Sequence, residues 1–217
     1  MKTPVLFLGL VLFGLCILPD AQAQEFRLNG YINYTFDDSF DSRYSATSYF
    51  NGRIEGNAMW GIGAEYMIAP NYGLEIQYQR MDTNVPVNYW RNGEVFRDLD
   101  LGINYILFGG KRYLAVNEIV EPYGGAMLGL VIFDNKSPAA GEPTTSTKFA
   151  WGLRLGSNFW LTDYIGLKVQ GQLFSAVEAV GGGFYIGTGG VSGGISPYST
   201  IYQFGLGGGL AFRFGGF

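Results

Sequence analysis

The chain contains no histidine. That removes the side chain most often used as a general base near neutral pH and one of the commonest metal ligands. Its single cysteine, Cys16, lies in an N-terminal leader, so the processed chain is expected to have neither a disulfide framework nor a thiol nucleophile. Charge is scarce at 15% of residues, with a net charge of −4. That balance points away from nucleic acid and from strongly charged partners. Beyond the leader, no apolar run approaches the roughly 20 residues that a spanning helix needs. A membrane crossing by this chain must be made with strands.

The leader reads as a cleaved signal peptide. Lys2 supplies a positive start, Val5 to Leu18 is apolar, and Ala21-Gln22-Ala23 offers the small residues a signal peptidase reads. Cleavage is expected between Ala23 and Gln24, giving a signal at 1–23 and one domain at 24–217. Leu15 precedes Cys16 where a lipoprotein signal wants a small residue. The remainder carries most of the 34 glycines and has 17% aromatics in the chain as a whole, a composition that suits an all-β protein.

Alternation with period two marks eight strands. In 26–36, Phe26, Leu28, Ile32, Tyr34 and Phe36 alternate with Arg27, Asn29, Tyr31, Asn33 and Thr35. A second strand, 53–68, sets Ile54, Ala58, Trp60, Ile62, Ala64, Tyr66 and Ile68 against Arg53, Glu55, Asn57 and Glu65. The third, 73–81, sets Leu74, Ile76 and Tyr78 against Glu75, Gln77 and Gln79. In the fourth, 97–110, Leu99, Leu101, Ile103, Tyr105 and Leu107 oppose Asp98, Asp100, Gly102 and Asn104. The fifth, 120–133, is apolar on both faces and leaves its register open. The sixth, 147–160, sets Phe149, Trp151, Leu153, Leu155 and Phe159 against Lys148, Gly152, Arg154 and Asn158. The seventh, 164–174, opposes Ile165, Leu167, Val169 and Leu173 to Lys168, Gln170 and Gln172, and the eighth, 200–214, opposes Tyr202, Phe204, Leu206, Leu210, Phe212 and Phe214 to Gln203, glycines and Arg213.

The apolar faces carry no charge over their central spans and hold more bulk than the interior of an eight-stranded barrel accepts. They are therefore expected to face lipid, with the polar, glycine-rich faces turned inward. Short connections near 69–72, 111–118 and 161–164 alternate with long ones near 37–52, 82–96, 134–146 and 175–199, the asymmetry of outer-membrane barrels. Tyr66, Tyr72, Phe159, Trp160, Tyr164, Phe212 and Phe214 gather towards the turn side as an interfacial girdle. The fold expected is an all-β, eight-stranded antiparallel up-and-down transmembrane β-barrel.

Segments 65–77 (EYMIAPNYGLEIQ) and 158–170 (NFWLTDYIGLKVQ) echo one another, Val120-Glu121-Pro122-Tyr123-Gly124-Gly125 opens the fifth strand, and the chain ends GLAFRFGGF. With the leader and strand pattern, these make 25–217 resemble the small OmpA/OmpX-like outer-membrane β-barrel family, also described as porin-family or outer-membrane β-barrel domain proteins. The resemblance implies a bacterial outer-membrane location among lipid and lipopolysaccharide. It also implies insertion by the barrel-assembly machinery with periplasmic chaperones, and no cofactor. The C-terminal insertion signal would use Phe212, Phe214 and Phe217, although Phe217 differs in parity from the other two. Barrel enzymes of this kind (lipid A acyltransferases and deacylases, phospholipases, omptin-like proteases) use a histidine, so this chain is read as no enzyme.

Gly190-Val191-Ser192-Gly193-Gly194 matches a nucleophile-elbow pattern, but in a glycine-rich loop and without histidine it is read as coincidence. The Asp37-Asp38-Ser39-Phe40-Asp41 run lacks calcium-loop spacing and is read as solvated. The site singled out is a set of lumen charges, Arg27, Glu65, Glu75, Arg154, Lys168 and Arg213, read either as an ion-pair plug or as a gate for small ions. Two functions follow: a structural or surface-interaction barrel with extracellular loops and a polar plugged lumen, or a small low-conductance channel gated by those charges. Surface partners would be met through the aromatic-bearing loops.

Overall fold

The computed structural model describes residues 25–45, 48–90, 94–114, 117–136, 144–177, 183–187, 190–194 and 201–215. Ala23, Gln24 and Phe217 lie outside them, as does the leader. The described residues form twelve strands: β1 (Phe26–Thr35), β2 (Asp38–Ser45), β3 (Ser48–Ile54), β4 (Asn57–Ala69), β5 (Tyr72–Trp90), β6 (Glu94–Tyr113), β7 (Val120–Asn135), β8 (Thr144–Trp160), β9 (Ile165–Val177), β10 (Gly183–Gly187), β11 (Gly190–Gly194) and β12 (Ile201–Phe214). Every pairing is antiparallel. Eight strands run in the order β1, β4, β5, β6, β7, β8, β9, β12, and β12 returns to β1, closing the wall. Closure leaves no unpaired edge, which is what lets strands cross hydrocarbon.

Period-two alternation produces the two faces of this wall. Ile32, Ile62, Ile76, Phe108, Leu128, Leu155, Val169 and Leu206 are exposed on the outside, while Arg27, Asn29, Tyr31, Glu65, Glu75 and Gln77 from the same wall are buried inside. At the turn end the hairpins close tightly. Asn117 Oδ1 accepts from the amides of Ile119 (2.9 Å) and Val120 (2.7 Å). Thr162 Oγ1 does the same for Tyr164 (3.2 Å) and Ile165 (3.0 Å), side-chain caps typical of short turns. At the other end the β5–β6 ladder continues to Trp90↔Glu94, so much of 82–96 is tall hairpin and not loop. Segment 37–52 likewise holds the β2–β3 hairpin, which joins β5 at Gly52↔Val87.

Three expectations about the faces need correction. In β6 the faces are reversed: Ile103, Tyr105 and Leu107 are buried in the interior, whereas Ile106 and Phe108 face out and Asp100 is exposed. Residues 105–108 are apolar throughout, so alternation alone decides nothing there. The ladder decides, because Ile103, Tyr105 and Leu107 pair with Met81, Gln79 and Gln77 of the inward face of β5. Ile54 is also buried, because Glu55-Gly56 interrupts the second strand and shifts its phase by one residue. Trp160 leaves the expected girdle for the interior, where its Nε1 donates to Glu121 (3.3 Å). In β7, whose register the sequence left open, Tyr123, Met127, Val131 and Phe133 turn inward.

Candidate functional site in the barrel lumen

The interior is built in levels from the turn end upward. At the mouth, Arg27 of β1 reaches across to Glu121 of β7 with two parallel bonds of 2.7 and 2.9 Å, and its Nε also pairs with Glu25. Asn158 Nδ2 donates to the same Glu121 carboxylate (2.8 Å). The guanidinium lies over the rings of Tyr113 (4.6 Å) and Trp160 (5.2 Å). Such a fork, bidentate and backed by rings, needs arginine and would not be reproduced by lysine.

Above it, Glu65 of β4 and Glu75 of β5 stand opposite one another in the ladder. Lys111 Nζ lies 3.1 Å from Glu65 Oε2 and 2.8 Å from Glu75 Oε2, and Arg154 Nη1 is 3.2 Å from Glu75 Oε2. Asn29 Nδ2 donates to both carboxylates (2.9 and 2.8 Å). The hydroxyls of Tyr113 and Tyr31 donate to Glu65 and Glu75 respectively. Glycine makes the room: a Cβ on Gly73 would collide with the Glu65 carboxylate, and one on Gly63 with that of Glu75.

A level of amides follows. Gln79 and Gln172 exchange bonds of 3.2 and 3.1 Å, Gln170 Nε2 donates to Asn33 Oδ1 (3.1 Å), and Tyr123 OH donates to Gln170 Oε1 (2.8 Å). Away from the turn end apolar side chains gather, with Met59, Met81, Ile103, Tyr105, Leu107, Val131, Phe133 and Phe174 packed together beside the buried polar residues Lys148, Ser175 and Gln203. The Tyr105 and Phe174 rings are 4.9 Å apart, and Tyr105 OH donates to Gln203 (2.8 Å). The inward face is thus most densely polar towards the turn end and mixed polar and apolar towards the other.

Of the lumen charges read from the sequence, Arg27, Glu65, Glu75, Arg154 and Lys168 are all buried in the interior. Arg213 is not among them. It sits at the turn-side rim, its Nε donating to the Asp163 carbonyl and its guanidinium 4.2 Å from the Trp160 ring. Lys111 and Glu121, which complete the pairs, escaped sequence reasoning. The signal for Lys111 was its parity with Tyr113 and Leu107, visible only once β6 is carried past Gly110. Glu121 needed the register of β7.

A second polar cluster lies on the outside of the wall, at the end away from the short turns. Asn104 Oδ1 accepts from Tyr78 OH (2.8 Å) and Arg80 Nη1 (2.9 Å), and its Nδ2 donates to Asp134 (2.9 Å). Asp82 pairs with Arg80 (2.7 Å) and with Lys136. On the same strands Ile76, Ile106 and Phe108 are exposed nearer the turn end, so this cluster marks where the hydrocarbon-facing band gives way to polar surroundings.

No group of three or more metal-ligating side chains occurs among the described residues. Ser192 stands opposite Tyr185 in the β10–β11 hairpin and not on a strand-to-helix elbow. Asp37 of the acidic run accepts from Arg53 (3.2 Å) and from the Gly56 amide (2.8 Å).

Among solved structures, the chain is similar to the outer membrane protein OprG from Pseudomonas aeruginosa, with 14% identity and a TM-score of 0.55 over 89% of this chain and 97% of that one. It is similar to neisserial surface protein A, NspA, at 14% identity and a TM-score of 0.54 over 88% of this chain and 97% of that one. At such identities the likeness is one of fold. No curated protein sequence matches the chain. The model of the outer membrane protein beta-barrel domain matches residues 8–176, well over half the sequence. The chain belongs to that family and is an integral β-barrel of the bacterial outer membrane.

Proposed function

We propose that this barrel serves the envelope as a structural and surface-interaction protein whose lumen is closed, and that it carries out no catalysis. The observation that carries this reading is the burial of large inward side chains at successive levels of the described interior. The largest fully buried side chains include Arg27, Arg154, Tyr105, Tyr113, Phe133 and Phe174, drawn from every level between the mouth and the extracellular side. An eight-stranded wall encloses just enough room for its inward side chains, and here they are large and paired. What remains free to meet other molecules is the extracellular end, where the β2–β3 hairpin and the tall β5–β6 hairpin extend the wall.

The alternative, a small channel gated by lumen charges, draws on the ion pairs of the periplasmic half. The apolar cluster above them weighs against it, because Met59, Met81, Leu107 and Phe174 pack into the interior there. Liposome swelling with the refolded chain from Gln24 onward distinguishes the two. No swelling in small sugars or amino acids is expected. Swelling faster than in protein-free liposomes would overturn the closed-lumen reading.

A further inference from the structure

Lys168 stands apart from the other interior cations. It projects inward from β9, is 2% exposed, and its ammonium has no hydrogen-bond partner. Its neighbours are ring faces: Nζ lies 4.6 Å from the centre of Tyr123 and 5.8 Å from that of Tyr31. Lys111 Nζ approaches the same two rings at 5.4 and 6.0 Å, and the Arg154 guanidinium lies 4.5 Å from Tyr31. Three cations thus crowd one pair of rings.

The carboxylates at this level are Glu65 and Glu75, and both are already engaged. Glu65 accepts from Lys111, Asn29 and Tyr113, and Glu75 from Arg154, Asn29 and Tyr31, with Lys111 paired to it as well. Two further acids, Glu121 and Glu25, are held by Arg27 at the mouth. At this level three cations meet two carboxylates, the mouth holding one carboxylate more than Arg27 balances, and Lys168 is the cation of the three that makes no ion pair.

Unpartnered donors also outnumber unpartnered acceptors. Besides the Lys168 ammonium, with three N–H groups to place, Arg154 Nε and Gln77 Nε2 are buried without partners, against Asn29 Oδ1 on the acceptor side. A buried ammonium with no counter-charge is strongly disfavoured, and ring faces offset only part of that. An unpaired ammonium with unpartnered N–H donors on the same interior is the chemistry that recognises a small monovalent anion.

We propose that the periplasmic half of the lumen binds a monovalent anion of halide size at the Lys168 ammonium. The inference goes beyond the closed-lumen reading and holds whether or not ions traverse the barrel. It is tested on the refolded chain from Gln24 onward with bromide as the probe. Crystals grown in sodium bromide are expected to show an anomalous peak within hydrogen-bonding distance of Lys168 Nζ. The thermal midpoint in detergent is expected to be higher in bromide than in gluconate at equal ionic strength. Lys168→Met, which keeps the apolar stem and removes the ammonium, is expected to abolish both effects while retaining heat-modifiable migration. An interior free of bromide in the wild-type crystal would overturn the proposal, and that result does not depend on whether the variant folds. So would a bromide effect on the midpoint that survives in Lys168→Met.

Discussion

Glu65 and Glu75 are direct cross-strand partners, two buried carboxylates facing the same interior from adjacent strands. Like charges so placed destabilise a sheet unless a cation lies between them, and Lys111 is that cation, 3.1 Å from one and 2.8 Å from the other. Lys111→Met should therefore lower stability by about 3–5 kcal/mol, the range for breaking a buried pair by removing one partner. Urea unfolding in lipid vesicles would measure it. Adding Glu75→Gln to Lys111→Met should recover part of the loss, since one of the uncompensated carboxylates is then neutral. A loss below about 1 kcal/mol for Lys111→Met, the scale of a solvent-exposed pair, would mean that water reaches this level freely.

The two faces of β6 can be read residue by residue. In a chain with Cys16 removed, single cysteines carrying a fluorophore at Ile106 or Phe108 should be quenched by lipid-borne quenchers, and labels at Tyr105 or Leu107 should not. Charge gives the same contrast in energy. Ile106→Arg should cost about 2–4 kcal/mol if its position lies near the bilayer midplane, whereas Leu107→Ala should cost about 2–5 kcal/mol through the cavity it leaves. Equal quenching at 106 and 107 would contradict the β6 register.

The wall was legible in the sequence wherever one face was polar. Arg27-Leu28-Asn29 and Glu75-Ile76-Gln77 announce their inward and outward sides without help. The reading failed where both faces are apolar, as in 105–108 of β6, since nothing in Tyr105-Ile106-Leu107-Phe108 says which pair meets lipid. Only the ladder with β5 settles that. It failed also at Ile54, where Glu55-Gly56 breaks the phase, and at Trp160, whose indole finds a half-buried acceptor that lies far off in sequence. The charge cluster was half visible. Its members on well-patterned strands could be named, while Lys111 and Glu121 depended on where β6 ends and how β7 is registered.

Glycine in the interior is there for space. Gly73→Ala and Gly63→Ala would push a methyl group into the carboxylates of Glu65 and Glu75, and each should lose about 1–3 kcal/mol, the usual range for overpacking. At Gly30 an added methyl group would meet no atom within 4 Å, so Gly30→Ala should change stability little. If all three variants unfold at the same urea concentration, crowding around the carboxylates is not what selects glycine there.

Arg27 and Arg213 both lie at the turn end, and their environments predict different losses. Arg27 is buried and forked onto Glu121, so Arg27→Met should cost about 3–5 kcal/mol. Arg213 donates to a carbonyl at the exposed rim, and Arg213→Met should cost about 1 kcal/mol or less, the scale of a typical single hydrogen bond. Comparing their unfolding midpoints side by side checks that the charge cluster lies inside the barrel and not at its edge.

The most direct measurement is single-channel conductance of the refolded chain, from Gln24 onward, in planar bilayers. Folding would be confirmed by heat-modifiable migration, and a Glu65→Gln/Glu75→Gln variant would be recorded alongside. A lumen filled from Arg27 to Phe174 should leave the bilayer silent for the wild-type protein. Discrete, reproducible openings whose size or frequency changes in the variant would contradict a closed lumen and make the charge cluster a gate.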